Sequence, residues 1–247
     1  MSTPAKSSFE IVQRHKLTPT QTREMFQLLA DHFDGVTQAQ FSRDIAEKNW
    51  VVCIRQDSRL VGFSTLLVYE SLFDGEPVSV VYSGDTIVAR EAWGSTALAR
   101  GWITAVNQLR AHYPNGKYYW LLLTSGFRTY RFLPVFWREF FPCPDAPTPF
   151  RIRRLRDQLA TERFGSQYDS RSGIVRFHHP QQLHGKLKQI PEERITNSHV
   201  AFFLSHNPGH AQGDELVCLT ELCPENLTAA GRRMVSARSH DTLCHHC

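Results

Sequence analysis

Residues 78–113 read V-S-V-V-Y-S-G-D-T-I-V-A-R-E-A-W-G-S-T-A-L-A-R-G-W-I-T-A-V-N-Q-L-R-A-H-Y. The first eleven, 78–88, are rich in β-branched residues and predict a strand. Leu98, Trp102, Val106, Leu109 and Tyr113 then fall on one helical stripe, so residues 94–113 predict a helix. Pro114-Asn115-Gly116 ends it. Residues 117–124 are almost continuously apolar and predict a strand buried on both faces. Strand, helix and strand make one βαβ unit, whose two strands run parallel. The turn at 89–96, A-R-E-A-W-G-S-T, opens the helix. There the amides lack intrahelical partners and the helix dipole is positive, which favours an anion. Gly94 admits a ligand to the backbone, Ser95 and Thr96 offer hydroxyls, and Arg90 suits a phosphate. With one glycine the turn is neither a Walker loop nor a dinucleotide fingerprint. A plainer reading stands beside this one: Ser95 caps the helix and Arg90 is solvated.

Working outward, residues 9–15 predict a first strand. Thr18 followed by Pro19 marks a helix start, with Met25, Leu29 and Phe33 at helical spacing and Gly35 as its stop. Thr37 caps a second helix carrying Phe41 and Ile45 on one face. Residues 50–55 and 60–69 are strands, and Asp74-Gly75 turns the chain into 78–88. These connections are too short for crossovers, so the three strands form an antiparallel meander. Residues 127–141 read as an aromatic helical stretch interrupted at Pro134, and 143–149, with three prolines, as a linker. Residues 151–164 predict a basic helix with Ile152, Leu155 and Leu159 inward. Strand candidates follow at 174–178, 199–204 and 215–219, and the end from 231 is expected to fray.

The chain has 247 residues, 41% hydrophobic and 21% charged, which is ordinary for a globular protein. Its net charge of +4 suits an anionic ligand such as a nucleotide or CoA. No basic stripe interleaves with stacking aromatics, so nucleic acid is not an expected partner. The first nine residues are polar and carry no signal peptide, and no run of about 18 apolar residues predicts a membrane span. The six cysteines, at 53, 143, 218, 223, 244 and 247, then read as thiols of a cytoplasmic protein.

The order of strand, helix, helix, three strands, long helix, strand and helix resembles that of the GNAT superfamily of N-acetyltransferases, which share the acyl-CoA N-acyltransferase fold. The resemblance covers about residues 9–141. It implies an α/β (α+β) fold with a mixed, mostly antiparallel central sheet flanked by helices. Residues 1–149 would form the acyl-CoA-binding core. Residues 150–247 would complete the sheet and shape the acceptor site. In that family the turn after the fourth strand holds the CoA pyrophosphate. Here Arg90-Glu91-Ala92-Trp93-Gly94-Ser95-Thr96-Ala97-Leu98 takes that place, with one glycine where the family has two or three and Trp93 where a glycine or arginine is usual. Ile87 and Val88 would line the pantetheine arm, with Ser125 facing the cofactor from the end of the fifth strand. The cosubstrate implied is acetyl-CoA or a longer acyl-CoA. The acceptor is an amine of a small molecule or peptide.

Acylating an amine calls for a base to free the nitrogen and an acid for the departing thiolate. The resemblance places the base on the fourth strand, where Asp85 is the only carboxylate, and the acid on the helix after the fifth, where Tyr130 lies. Burial would raise the pKa of Asp85, as a base requires. Alternatively Asp85 marks a bulge beside Gly84, and Tyr130 is a packing residue. Glu70 is a weaker base candidate. Tyr118, Trp120, Phe127, Phe132, Phe136, Trp137 and their aromatic neighbours read first as core, and second as a greasy channel for an acyl chain. Cys244-His245-His246-Cys247 has C-x-x-C spacing, but zinc wants four ligands and no metal is expected. His206, His210, Asp214 and Glu215 surround Asn207-Pro208-Gly209 and read as turn residues. The expected activity is N-acyl transfer from acyl-CoA. The alternative is a non-catalytic relative that keeps the fold and binds a ligand or partner.

Overall fold

The computed structural model describes residues 7–93, 95–185 and 190–236. Strands are β1 (Ser7–Gln13), β2 (Phe33–Asp34), β3 (Trp50–Gln56), β4 (Arg59–Phe73), β5 (Glu76–Val88), β6 (Lys117–Thr124), β7 (Tyr168–Asp169), β8 (Ile174–Val175), β9 (Gln182–Leu183) and β10 (Glu215–Glu221). Helices are α1 (Pro19–Ala30), α2 (Gln38–Ala46), α3 (Ala97–Leu109), α4 (Phe127–Tyr130), α5 (Phe132–Phe136), α6 (Phe150–Phe164), α7 (Glu192–Ile195), α8 (Ser198–His206) and α9 (Ala229–Ser236). One eight-stranded sheet has the order β1-β3-β4-β5-β6-β10-β8-β7, with β2 and β9 pairing separately. Within it only β5 and β6 are parallel; the other pairs are antiparallel. The sheet is thus mixed, mostly antiparallel and flanked by helices, as the resemblance implies.

Local chemistry explains the first helices. Thr18 accepts from the Gln21 amide while the Gln21 side chain receives the Thr18 amide, a complete capping box with Pro19 at the first helical position. Thr37 caps α2 through the Gln40 amide. The sheet then separates two layers. On one face, α3 packs its Gly101 against Phe9 and Ile54 and its Trp102 ring 4.1 Å from that of Trp120. On the other, Arg55 meets Glu24 of α1, and Phe164 of α6 stands edge-on to Tyr82 at 5.6 Å. Gly101 matters because a Cβ there would lie 3.0 Å from both Phe9 and Ile54.

Several sequence expectations are corrected. Residues 199–204 are not a strand but lie in α8, because the Asn197 side chain accepts from the Val200 amide and starts a helix. A short apolar run does not by itself distinguish the two. The strand expected at 174–178 shrinks to Ile174–Val175. The long helix begins at Ala97, after a single tight turn over Arg90–Ala92. The break in 127–141 falls at Arg131, and Pro134 sits in the first turn of α5, where its missing N–H costs nothing. The end does not fray at 231: α9 continues to Ser236, with Gly231 against the Phe136 carbonyl. Cys244, His245, His246 and Cys247 lie outside the described residues. Among the described residues no group of three or more metal-ligating side chains occurs, and no helix is long and apolar enough to cross a membrane.

Candidate active site

The site begins where β5 and β6 part. Their parallel pairing runs from Val78↔Lys117 to Ser83↔Leu122 and stops. Beyond it β6 pairs only with β10, and residues 86–88 of β5 pair only with β4. One edge of β5 past Ser83 therefore presents backbone groups to a gap and not to a neighbouring strand. The last closed rung is fastened by Trp120, whose indole N–H donates to Ser83 Oγ at 2.8 Å.

A bulge sits at the same point. Ser64 pairs with Thr86 and Leu66 with Ser83, so Thr65 of β4 opposes both Gly84 and Asp85. Such an extra residue bends a strand and re-aims a side chain. Here it turns Asp85 toward Lys48, which follows α2 and reaches over the Tyr82 ring at 5.2 Å. Lys48 is buried; its Nζ donates to the Asp44 carbonyl at 3.1 Å, and desolvation lowers its pKa.

The gap opens into a cavity of about 1030 Å3 that is lined from both faces of the sheet. On the α3 face its wall includes Leu98, Trp102, Trp120 and Phe132. On the α6 face it includes Lys48, Tyr82, Phe164 and Glu215. A volume of this size accommodates more than one small ligand. Burial pushes the Asp85 carboxyl up to about 6, against the opposing field of Lys48. Burial, with the charge of Asp85, pushes Glu215 up to about 8. His210 also reaches this wall, hydrogen-bonds the Ser125 backbone and is lowered by burial.

At the α3 end the surroundings favour an anion. Ser95 Oγ accepts from the Ala97 amide, and the next two first-turn amides, of Leu98 and Ala99, have no partner among the described residues. Both residues line the cavity. Trp93 donates its indole N–H to the Val88 carbonyl at 2.8 Å, fixing the turn to the end of β5. Arg128 of α4 lies 4.9 Å over the Trp93 ring, and Arg90 5.9 Å from it. The pKa of Arg128 is lowered first by burial, then by the charges of Arg194 and Arg90. Arg128 thus lines the cavity here, with Arg90 and Arg194 near enough for their charges to act on it.

The sequence candidates divide accordingly. Asp85, Ile87, Val88, Trp93, Ser95, Thr96 and Ser125 all line the cavity. Arg90 is exposed beside it, over Trp93. Gly94 lies outside the described residues. Tyr130 is not on the wall: it is fully buried, its hydroxyl donates to the Pro142 carbonyl at 3.0 Å, and burial raises its pKa. As placed, it packs against Phe140 and Phe203 and is not brought to Asp85. The aromatic group divides. Trp137 and Tyr130 are interior packing, whereas Trp120, Phe127, Phe132 and Phe136 face the cavity. Sequence reasoning missed Lys48, Arg128 and Glu215. Glu215 reads as a turn residue in sequence because its neighbours in space are remote in the chain.

No family model matches the chain, and no curated protein matches it in sequence. Solved structures similar to it include a probable N-acyltransferase of Enterococcus faecalis, at 14% identity and a TM-score of 0.41 over 55% of this chain and 33% of that one. Another is ElaA of Escherichia coli, at 17% identity and a TM-score of 0.40 over 58% of this chain and 93% of that one. A third is YhbS, a GNAT family N-acetyltransferase of Escherichia coli in complex with CoA, at 13% identity and a TM-score of 0.36 over 49% and 65%. The chain therefore spans a third of the length of the first of these proteins.

Proposed function

We propose that the protein transfers an acetyl or longer acyl group from acyl-CoA to an amine of a small molecule or peptide, in the cytoplasm. The observation that carries this reading is the cavity at the β5–β6 gap, lined from both faces of the sheet, with anion-receptive groups on one face and carboxylates on the other. The pyrophosphate suits the Leu98 and Ala99 amides, the Ser95 and Thr96 hydroxyls and the Arg90–Arg128 pair. The unpaired edge of β5 at Ile87 and Val88 offers strand-like hydrogen bonds to the amides of the pantetheine arm. The thioester supplies the activated acyl carbon.

Asp85 accepts the proton that the acceptor's ammonium group sheds. Its pKa of about 6 leaves it ionised at neutral pH and basic enough for this step. The segment from residue 150 onward shapes the acceptor side, since Phe164 of α6 and Glu215 of β10 form its wall. The aromatic residues on the α3 face provide apolar surface for a longer acyl chain, worth about 0.8 kcal/mol per methylene.

Calorimetry with acetyl-CoA and longer acyl-CoAs tests the cofactor. Arg128→Ala and Arg90→Ala each remove a charge-assisted contact worth about 1.5–3 kcal/mol, or roughly 10- to 100-fold in Kd. No binding of any acyl-CoA by the wild type would sink the reading. Binding without thiol release across a panel of amines would instead support the non-catalytic alternative, which the placement of Tyr130 favours.

A further inference from the structure

We propose that Glu215 is the proton donor to the departing thiolate. The inference rests on the acyltransferase reading and fills a role that the structure leaves open. Tyr130, the residue expected to donate, spends its hydroxyl on the Pro142 carbonyl inside the core. Glu215 stands on the cavity wall at the first position of β10. The next residue, Leu216, pairs with Thr124, the last residue of β6, so Glu215 lies level with the open end of the gap. Its carboxyl has no hydrogen-bond or ion-pair partner among the described residues. The cations of this wall are engaged elsewhere: Lys48 with the Asp44 carbonyl and Tyr82, Arg163 with Glu47.

The titratable groups facing this region come from several elements. Asp85 and Tyr82 are on β5, Asp44, Glu47 and Lys48 on α2 and its following turn, His32 after α1, Arg163 on α6, His178 and His179 after β8, and His210 on the turn before β10. Enclosure disfavours the Glu215 carboxylate, and the charge of Asp85 nearby adds to it, so Glu215 keeps its proton up to a pH of about 8. Two carboxyl groups with separated affinities at one cavity are suited to opposite roles.

The protons balance. Asp85 takes one proton from the acceptor ammonium. The freed nitrogen attacks the thioester carbon, and the carbon–sulfur bond breaks with its electron pair on sulfur. Sulfur takes the Glu215 proton, and the second nitrogen proton passes to the Glu215 carboxylate, restoring it. Asp85 then releases its proton to solvent as the amide leaves.

The test uses the full chain with acetyl-CoA and hydroxylamine, whose nitrogen is uncharged at neutral pH and so makes little demand on Asp85. Wild type should give a kcat/KM profile that rises through about pH 6 with the common amines of the panel and falls through about pH 8. With hydroxylamine the alkaline fall should remain. Glu215→Gln should bind acetyl-CoA as the wild type does, lose at least about 100-fold in kcat, and lose the alkaline limb. Glu215→Asp should regain part of the rate. An active wild type whose Glu215→Gln variant keeps both rate and alkaline limb overturns the inference and leaves the acyltransferase reading standing. A wild type that neither binds acetyl-CoA nor releases thiol removes both.

Discussion

Gly84 seats Lys48. A Cβ at this position would stand 2.6 Å from Lys48 Cε and 2.7 Å from Thr65 Oγ1, so Gly84→Ala must push the lysine off its perch. Overpacking of this kind costs about 1–3 kcal/mol, to be read as a lowered urea midpoint. The lysine itself bears on the chemistry. Its positive charge holds the Asp85 pKa below where burial alone would put it. Lys48→Met removes that charge, so Asp85 should keep its proton to higher pH. The acid limb of kcat/KM, expected near pH 6, should then move upward. A limb that stays in place in Lys48→Met would assign it to a different group.

The decisive element is the β5–β6 seam, and it was only partly legible in the sequence. Alternation and apolar runs are local signals, and they located β3 to β6, the meander and the parallel pair. Where the pair stops closing is not a local signal. It depends on the one-residue offset at Thr65 and on which strand each edge finds next. The same limit explains the site. Asp85 lies in, and Ser95, Thr96 and Ser125 follow, strands that patterning reveals, whereas Glu215 reaches the cavity only because β10 pairs with β6 across a long excursion of chain. Tyr130 departs from its expected place for a related reason: its partner is set by tertiary packing, its hydroxyl donating to the Pro142 carbonyl beyond the end of α5. The seam makes a prediction of its own. Ser83→Ala leaves the Trp120 indole N–H without its buried acceptor, a loss of about 1–3 kcal/mol. Denaturant unfolding with an unchanged midpoint would show that the last rung is not held by this bond.

At the scale of the whole molecule, the cavity is lined from opposite faces of one sheet, and this bears on the order of events. The anion-receptive end lies by α3, Trp93 and Arg128, whereas Asp85, Lys48 and Glu215 belong to the end by α2 and α6. Donor and acceptor approaching from different sides need not displace one another, and about 1030 Å3 gives room for both. A route through an acyl-enzyme would need a nucleophile on the wall. No cysteine lines the cavity among the described residues, and burial pushes Cys53 up to about 12 and raises Cys218 as well, leaving both as inert thiols. A cysteine acyl-enzyme is therefore not expected, and transfer is expected to be direct, within a ternary complex. Initial rates measured against acetyl-CoA at several fixed amine concentrations should give intersecting double-reciprocal lines. Acetyl-CoA mixed with the protein alone should release no stoichiometric burst of thiol. Parallel lines with such a burst would mean that the acyl group is carried covalently, and that the two faces are used in turn, not together.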